Sequence, residues 1–191
     1  MIRSFIALEL KEKGTIENIS SFATRLKKNQ TNLKLVKPEN LHMTVKFLGN
    51  ISESLAPKIY DILKTEINEK FFQDKEFKYY LKGVGQFNRF SVIWVKLVGD
   101  ISFLQTIKDS IEDLLNTRLT VDRDKRTQFK PHLTIGRLRK EKINYKTFDI
   151  FKKLINENKN KEFGDFNISQ IKLKKSVLTS QGPHYSDLEF L

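Results

Sequence analysis

Two stretches decide how this chain folds: Lys37-Pro38-Glu39-Asn40-Leu41-His42-Met43-Thr44-Val45-Lys46-Phe47-Leu48-Gly49 and Phe129-Lys130-Pro131-His132-Leu133-Thr134-Ile135-Gly136-Arg137. Around each histidine polar and apolar side chains alternate, the period of a strand with one face buried. On such a strand His42 and Thr44 point one way while Met43 and Val45 point the other; His132 and Thr134 stand in the same relation to Leu133 and Ile135. Each tetrapeptide therefore offers an imidazole and a hydroxyl on one face, anchored to the core by an apolar pair.

Outward from these strands, the rest of the chain alternates strand with helix. A strand is expected over 2–10 and a helix over 15–28, with Ile16, Ile19, Ala23 and Leu26 on one face. The first histidine strand covers 41–48. A helix over 54–70 follows, carrying Leu55, Ile59, Ile62, Leu63 and Ile67 at three-and-four spacing, with Pro57 in its first turn. Residues 77–81 and 92–98 are rich in aromatic and β-branched side chains and read as strands. Leu104, Ile107, Ile111 and Leu114 define a helix over 101–116. The polar stretch 119–130, with Arg123, Lys125, Arg126 and Lys130, reads as an exposed loop. The second histidine strand (131–136), a helix near 145–157, a basic turn at 156–161 and strands near 168–179 and 186–190 complete the chain.

Strand 92–98, helix 101–116, basic loop and His-Leu-Thr-Ile strand repeat the order of strand 2–10, helix 15–28, Lys-rich loop and His-Met-Thr-Val strand. This predicts an internal duplication within one unit, residues 1–191. The expected architecture is α+β and bilobal: two pseudo-symmetric lobes, each with an antiparallel sheet and outer helices, around a central cleft where a ligand would bind.

Composition narrows the function. The chain has 191 residues, 39% of them hydrophobic and 30% charged, as expected of a globular protein with a real core. It has no cysteine, which excludes disulfides, thiolate metal sites and a cysteine nucleophile. No stretch reaches the ~18 apolar residues of a membrane span. The N-terminus lacks a long uncharged core, so no cleaved signal is expected and a cytoplasmic location is the default. Thirty-five Lys and Arg against 23 Asp and Glu leave a formal charge of +12, which favours a polyanionic partner over a cationic one.

Of three histidines, two share the His-x-Thr pattern. An unperturbed imidazole titrates near pH ~6.5, so a pair can present one neutral and one protonated ring near neutrality. Concerted acid–base work on a phosphodiester needs that combination: one ring deprotonates the nucleophile while the other protonates the leaving oxygen. In-line displacement at phosphorus separates the two roles across the phosphorus atom, and Thr44 and Thr134 would hold the non-bridging oxygens as charge builds. A zinc site would want a third or fourth ligand, and neither strand supplies a carboxylate at ligand spacing. A serine hydrolase lacks its G-x-S-x-G turn. The remaining alternatives are a basic RNA-binding module with structural histidines, and a phosphodiesterase of small cyclic nucleotides or 2′–5′ oligonucleotides.

Strand parity puts Lys46 and Lys130 on the faces of their histidines, as candidate phosphate contacts. Arg137 has the opposite parity, which a bend at Gly136 could redirect. Phe5 and Trp94 read as core aromatics. Tyr185, beside Gly182-Pro183 in an expected loop, reads as a substrate contact, and His184 as a surface residue.

The paired tetrapeptides resemble those of the two-histidine phosphoesterase superfamily, and their context resembles the LigT-like RNA 2′,3′-cyclic phosphodiesterases. The likeness includes Arg3-Ser4-Phe5-Ile6-Ala7-Leu8, Val92-Ile93-Trp94-Val95, Ser176-Val177-Leu178 and Gly182-Pro183-His184-Tyr185. It departs at Lys130, where such proteins often carry arginine; a lysine keeps the charge but not the bidentate grip. The resemblance implies hydrolysis of a terminal 2′,3′-cyclic phosphate on RNA to a 2′-phosphomonoester, without a metal or other cofactor. It implies His42 as proton donor to the 3′ oxygen, His132 as proton acceptor from water, and Thr44 and Thr134 as phosphate ligands. It also implies possible 2′–5′ joining of RNA ends such as tRNA halves, the same chemistry reversed. The expected partner is RNA, with no membrane and no second copy of the chain required.

Overall fold

The computed structural model describes residues 1–125, 128–180 and 182–190; Arg126 of the basic loop lies outside them. Among the described residues there are nine strands and four α-helices. They are β1 (Ile2–Glu9), α1 (Lys13–Asn29), β2 (Lys34–Leu35), β3 (His42–Ile51), α2 (Leu55–Ile62), β4 (Phe77–Phe87), β5 (Val92–Val98), α3 (Ile101–Leu119), β6 (His132–Arg137), α4 (Tyr145–Glu157), β7 (Glu162–Ile168), β8 (Lys172–Thr179) and β9 (Gly182–Asp187). The α+β class expected from the sequence is what the chain forms.

The expectation of two sheets needs revision. The strands form one antiparallel path, β7-β4-β5-β6-β3-β1-β8-β9, with β2 added to the end of β6. Its middle is a narrow join: β3 and β6 meet in register at the single pair Met43 and Leu133. Strands from both ends of the chain build the β3 side, because β8 and β9 return to pair with β1.

Alternating side chains of the central strands feed one core. Ile6, Leu8, Met43, Val45, Ile93, Val95, Leu133 and Ile135 are all buried. The helices cover this face with most of their expected stripes: Ile19, Ala23 and Leu26 from α1 and Leu104, Ile107 and Ile111 from α3. Phe22 and Leu115 are buried where Ile16 and Leu114, expected there, are only partly so. Asp100 caps α3 by accepting from the Phe103 amide at 3.0 Å, and Asn144 caps α4 by accepting from Lys146 at 3.2 Å. The helix after β3 is unusual. Beyond Ile62 it widens into a π-helical stretch, Leu63–Phe72, in which the Asn68 side chain clasps the backbone N–H and C=O of Ile171 at 2.8 and 2.9 Å.

Strand β7 is absent from the sequence reading, which extends a strand across 168–179 instead. Gly164, Asp165 and Asn167 interrupt its apolar residues and look like a turn. The glycine has a tertiary cause: its φ is +135°, and a Cβ there would sit 2.3 Å from Oγ1 of Thr15 on α1. That close approach lets the Thr15 hydroxyl donate to the Asp165 carbonyl at 2.9 Å.

Candidate active site

Residues directly opposite in an antiparallel pair share a face, and their chain neighbours take the other. Met43 and Leu133 are paired and point into the core. His42, Thr44, His132 and Thr134 must therefore gather on the opposite, open face around that one pair. The two strands have identical burial profiles from the histidine onward: half-buried, buried, half-buried, buried, buried, exposed.

The consecutive buried pair in each profile marks a bulge. Thr44 lies opposite Ala7 but Lys46 lies opposite Ile6, so Val45 is the extra residue on β3. Thr134 lies opposite Trp94 and Gly136 opposite Ile93, so Ile135 is its counterpart on β6. Simple alternation fails beyond these points, and two expectations change with it. Lys46 does not face the histidines. The bulge turns it to the helical side, where it is 2% exposed and its Nζ donates to Glu112 (2.7 Å), to Asp124 (3.1 Å) and to the Asp122 carbonyl (2.9 Å). Lys108 bridges the same two carboxylates at 2.7 and 2.8 Å. Lys46 is thus part of a buried ion network tying β3 to α3 and to the loop that leads to His132, and it is withdrawn as a phosphate contact. Arg137 moves the other way, since the bulge returns it to the open face.

Both imidazoles are held alike. Nδ1 of His42 lies 2.6 Å from the Asn40 carbonyl, and Nδ1 of His132 lies 2.7 Å from the Lys130 carbonyl. A carbonyl can only accept, so Nδ1 carries the hydrogen in each ring and Nε2 is left for chemistry. The proline-containing approaches to both strands place these carbonyls two residues ahead of the ring. Lys130 therefore contributes through its backbone, while its side chain is exposed.

Aromatic walls fix the rings. Phe5 and Tyr185 flank His42 with centroids at 4.9 and 5.2 Å. Phe87 and Trp94 flank His132 at 4.9 and 6.1 Å. Phe5 is buried, as expected of a core residue, yet it also packs on the site. Tyr185 is not in a loop: it belongs to β9, opposite Ser176. His184, opposite Val177, is exposed, as its sequence context suggests. Phe87 escapes sequence reasoning because β4 runs six residues past the apolar run that announces it. Gly85 is the recoverable signal. It faces Trp94 across β4 and β5, where any Cβ would sit 2.2 Å from the indole, so the ring lies flat over the strand.

Burial lowers the pKa of both histidines. At His42 the Asn40 carbonyl opposes this, Lys174 and then Arg137 add to it, and the Glu9 carboxylate partly offsets them. At His132 the Lys130 carbonyl opposes it and Arg137 adds to it. Arg137 therefore acts on both rings from one position. Lys174 and Lys172 are themselves paired with Glu9 and Asp187 in a four-membered cluster beside His42. The open face can thus present two neutral imidazoles, two hydroxyls and a guanidinium to an anion. A separate cavity of about 600 Å³, between the π-helical stretch and residues 169–173, includes neither histidine.

A family model described as the AKAP7 2′5′ RNA ligase-like domain matches residues 4–189. Among curated relatives, the RNA 2′,3′-cyclic phosphodiesterase of Methanocaldococcus jannaschii is 35% identical over 190 residues, covering 96% of each chain. The protein of the same name from Aquifex aeolicus is 31% identical over 196 residues, covering 99% of this chain and 96% of its own. Among solved structures, a Thermus thermophilus protein superposes with a TM-score of 0.72 at 25% identity, covering 98% of this chain and 96% of its own. E. coli LigT in its apo form superposes at 0.71 with 19% identity, covering 98% and 95%.

Proposed function

The chain belongs to the two-histidine phosphoesterase superfamily, and from that premise we propose that it opens the terminal 2′,3′-cyclic phosphate of RNA to a 2′-phosphomonoester by metal-independent acid–base catalysis at His42 and His132. It is an enzyme of the cyclic phosphodiesterase class, in keeping with several relatives of that name at about 30% identity. The observation that carries the finer reading is the matched tethering of both Nδ1 atoms. It leaves two Nε2 atoms available on one open face of the sheet.

Nε2 of His132 takes a proton from water as the oxygen attacks phosphorus. The bond to the 3′ oxygen breaks, and Nε2–H of His42 delivers the proton that the leaving oxygen needs. The phosphate stays on the 2′ oxygen, and proton exchange with solvent restores both rings. Thr44 and Thr134 donate to the non-bridging oxygens, with Arg137 supplying charge. The acid role of His42 follows the family resemblance; in the free protein burial, then Lys174 and Arg137, act against a protonated His42, and Glu9 only partly offsets them. A bound phosphate anion raises the depressed His42 pKa toward the protonated state this step requires. With a 5′-hydroxyl in place of water, the reverse path joins RNA ends through a 2′–5′ linkage. The matching registers also support reading the two histidine strands as products of duplication within one unit, and the proposal needs only one copy of the chain.

The test is a short RNA ending in a 2′,3′-cyclic phosphate, incubated with and without EDTA and analysed for the position of the phosphate. A 2′-phosphate product unaffected by EDTA is expected; a 3′-phosphate product, or activity retained in the double alanine variant of His42 and His132, overturns the mechanism.

A further inference from the structure

The open face has two ways out from the histidines, and their charges differ. Toward β8 and β9, the cations nearest His42 are spent: Lys172 and Lys174 are each paired with both Glu9 and Asp187. Two ammonium groups facing two carboxylates offer an incoming phosphate little net attraction, leaving on that side single cations such as Arg3 near Tyr185. Toward the far end of β6 the pattern reverses. Arg137 lies directly opposite Lys34 of β2, so the two side chains share the open face. Leu138 is buried and its amide donates to the Ser91 carbonyl at 3.0 Å, which brings the β4–β5 hairpin with Arg89 alongside and sends Arg139 back outward. Lys34, Arg89, Arg137 and Arg139 are exposed, and among the described residues none forms a salt bridge. The residues that build this end, 33–38, 86–92 and 134–140, contain no aspartate or glutamate, although Glu39 and Glu141 follow directly on two of them.

We propose that the body of a single-stranded RNA leaves the two histidines over the β6–β2 edge, its phosphates passing Arg137 and then Lys34 and Arg139. The inference rests on the phosphodiesterase reading above and adds to it the route of the polymer. Cations without a salt-bridge partner release counterions when they meet phosphates, so binding along this route is salt-dependent in proportion to the phosphates neutralised. Guanidinium groups at three of the four positions can also grip phosphate oxygens in bidentate fashion.

The test compares the full chain with two double variants that change charge equally. K34E/R139E lies on the route. K58E/K64E lies on exposed positions of α2 and the π-helical stretch, on the helical side of the sheet. Binding is measured across a salt series to an RNA of about 12 nucleotides bearing a 2′-phosphate end, which is not consumed. Turnover is measured separately on a nucleoside 2′,3′-cyclic monophosphate. The expected result is at least tenfold weaker RNA binding by K34E/R139E at roughly 50 mM salt, with a log–log salt slope shallower by about 1 to 1.5. Mononucleotide turnover stays within about twofold, since neither residue touches the terminal phosphate. Equal loss in K58E/K64E means the attraction is diffuse and overturns the route. If the unmodified protein turns over neither the cyclic mononucleotide nor an RNA ending in a 2′,3′-cyclic phosphate, the phosphodiesterase reading fails, while the binding comparison still decides the route.

Discussion

Strands β3 and β6 are built alike for four residues and then part. Each carries histidine, apolar residue, threonine, apolar residue, and each bulges at the fourth. At the fifth position β3 has Lys46, locked in a buried ion network, where β6 has Gly136, packed 3.2 Å (as measured from an added Cβ) from the Leu33 side chain. At the sixth, β3 has Phe47, 70% exposed, where β6 has Arg137. The shared part fixes two equivalent imidazoles; the divergent part leaves β6 alone with a cation on the open face at this position, Arg137, which acts on both rings. On the proposed mechanism an acid and a base come from one repeated motif, so the difference between them lies in groups outside the motif.

The largest effects should come from the shared part. His42→Ala and His132→Ala should each lower turnover of a cyclic-phosphate RNA by roughly 10²–10⁴-fold, with the folded state kept by circular dichroism. A variant losing only a few-fold would mean that one ring is dispensable and the pair is not a catalytic unit.

The divergent fifth position sharpens the comparison through stability. Lys46→Met leaves Glu112 and Asp124 short of a cation in a desolvated setting, a loss of about 3–5 kcal/mol in chemical denaturation. Gly136→Ala, which asks only that the Leu33 side chain yield slightly, should cost about 1 kcal/mol or less. Equal costs would show that the ion network is not what holds β3 to α3.

At the sixth position Arg137→Ala should lower kcat by roughly ten- to a hundredfold through lost charge stabilisation. It should also move the pH–rate profile upward, because the guanidinium lowers the pKa of both histidines. Phe47→Ala should leave the profile in place. A profile unmoved in the Arg137 variant would separate that cation from the rings.

The smallest effect is on stability against pH. Both histidines have folded pKa values below the unfolded ~6.5, so the unfolded chain binds protons first as pH falls. Their contribution is complete above that value and is lost as pH drops through the folded pKa values. Thermal denaturation between pH 7.5 and 5 should show a fall in Tm that the double His→Asn variant reduces; an identical fall in both proteins assigns it to other groups.

Much of this arrangement is legible in the chain itself. The spacing around His42 and His132 identifies both strands and the face they share, and α1 and α3 follow from their apolar stripes. What is lost lies where local pattern and tertiary packing disagree. Alternation assigns Lys46 to the wrong face because a bulge depends on the neighbouring strand, not on the residues that bulge. Arg137 is rescued by the same device. Strand β7 is hidden because Gly164 answers to Thr15, about 150 positions earlier in the chain. Phe87 is hidden because it lies past the apolar run that marks β4, and only Gly85, read together with Trp94, announces that an aromatic ring rests there.

The join between the halves of the sheet is one rung wide, and beneath that rung lie the thioether of Met43 and the isobutyl group of Leu133. On the proposed mechanism, the two imidazoles that work on one phosphate are thus yoked by a single rung whose underside is wholly apolar. Trimming either side chain would loosen the alignment of both rings without removing any group that handles a proton.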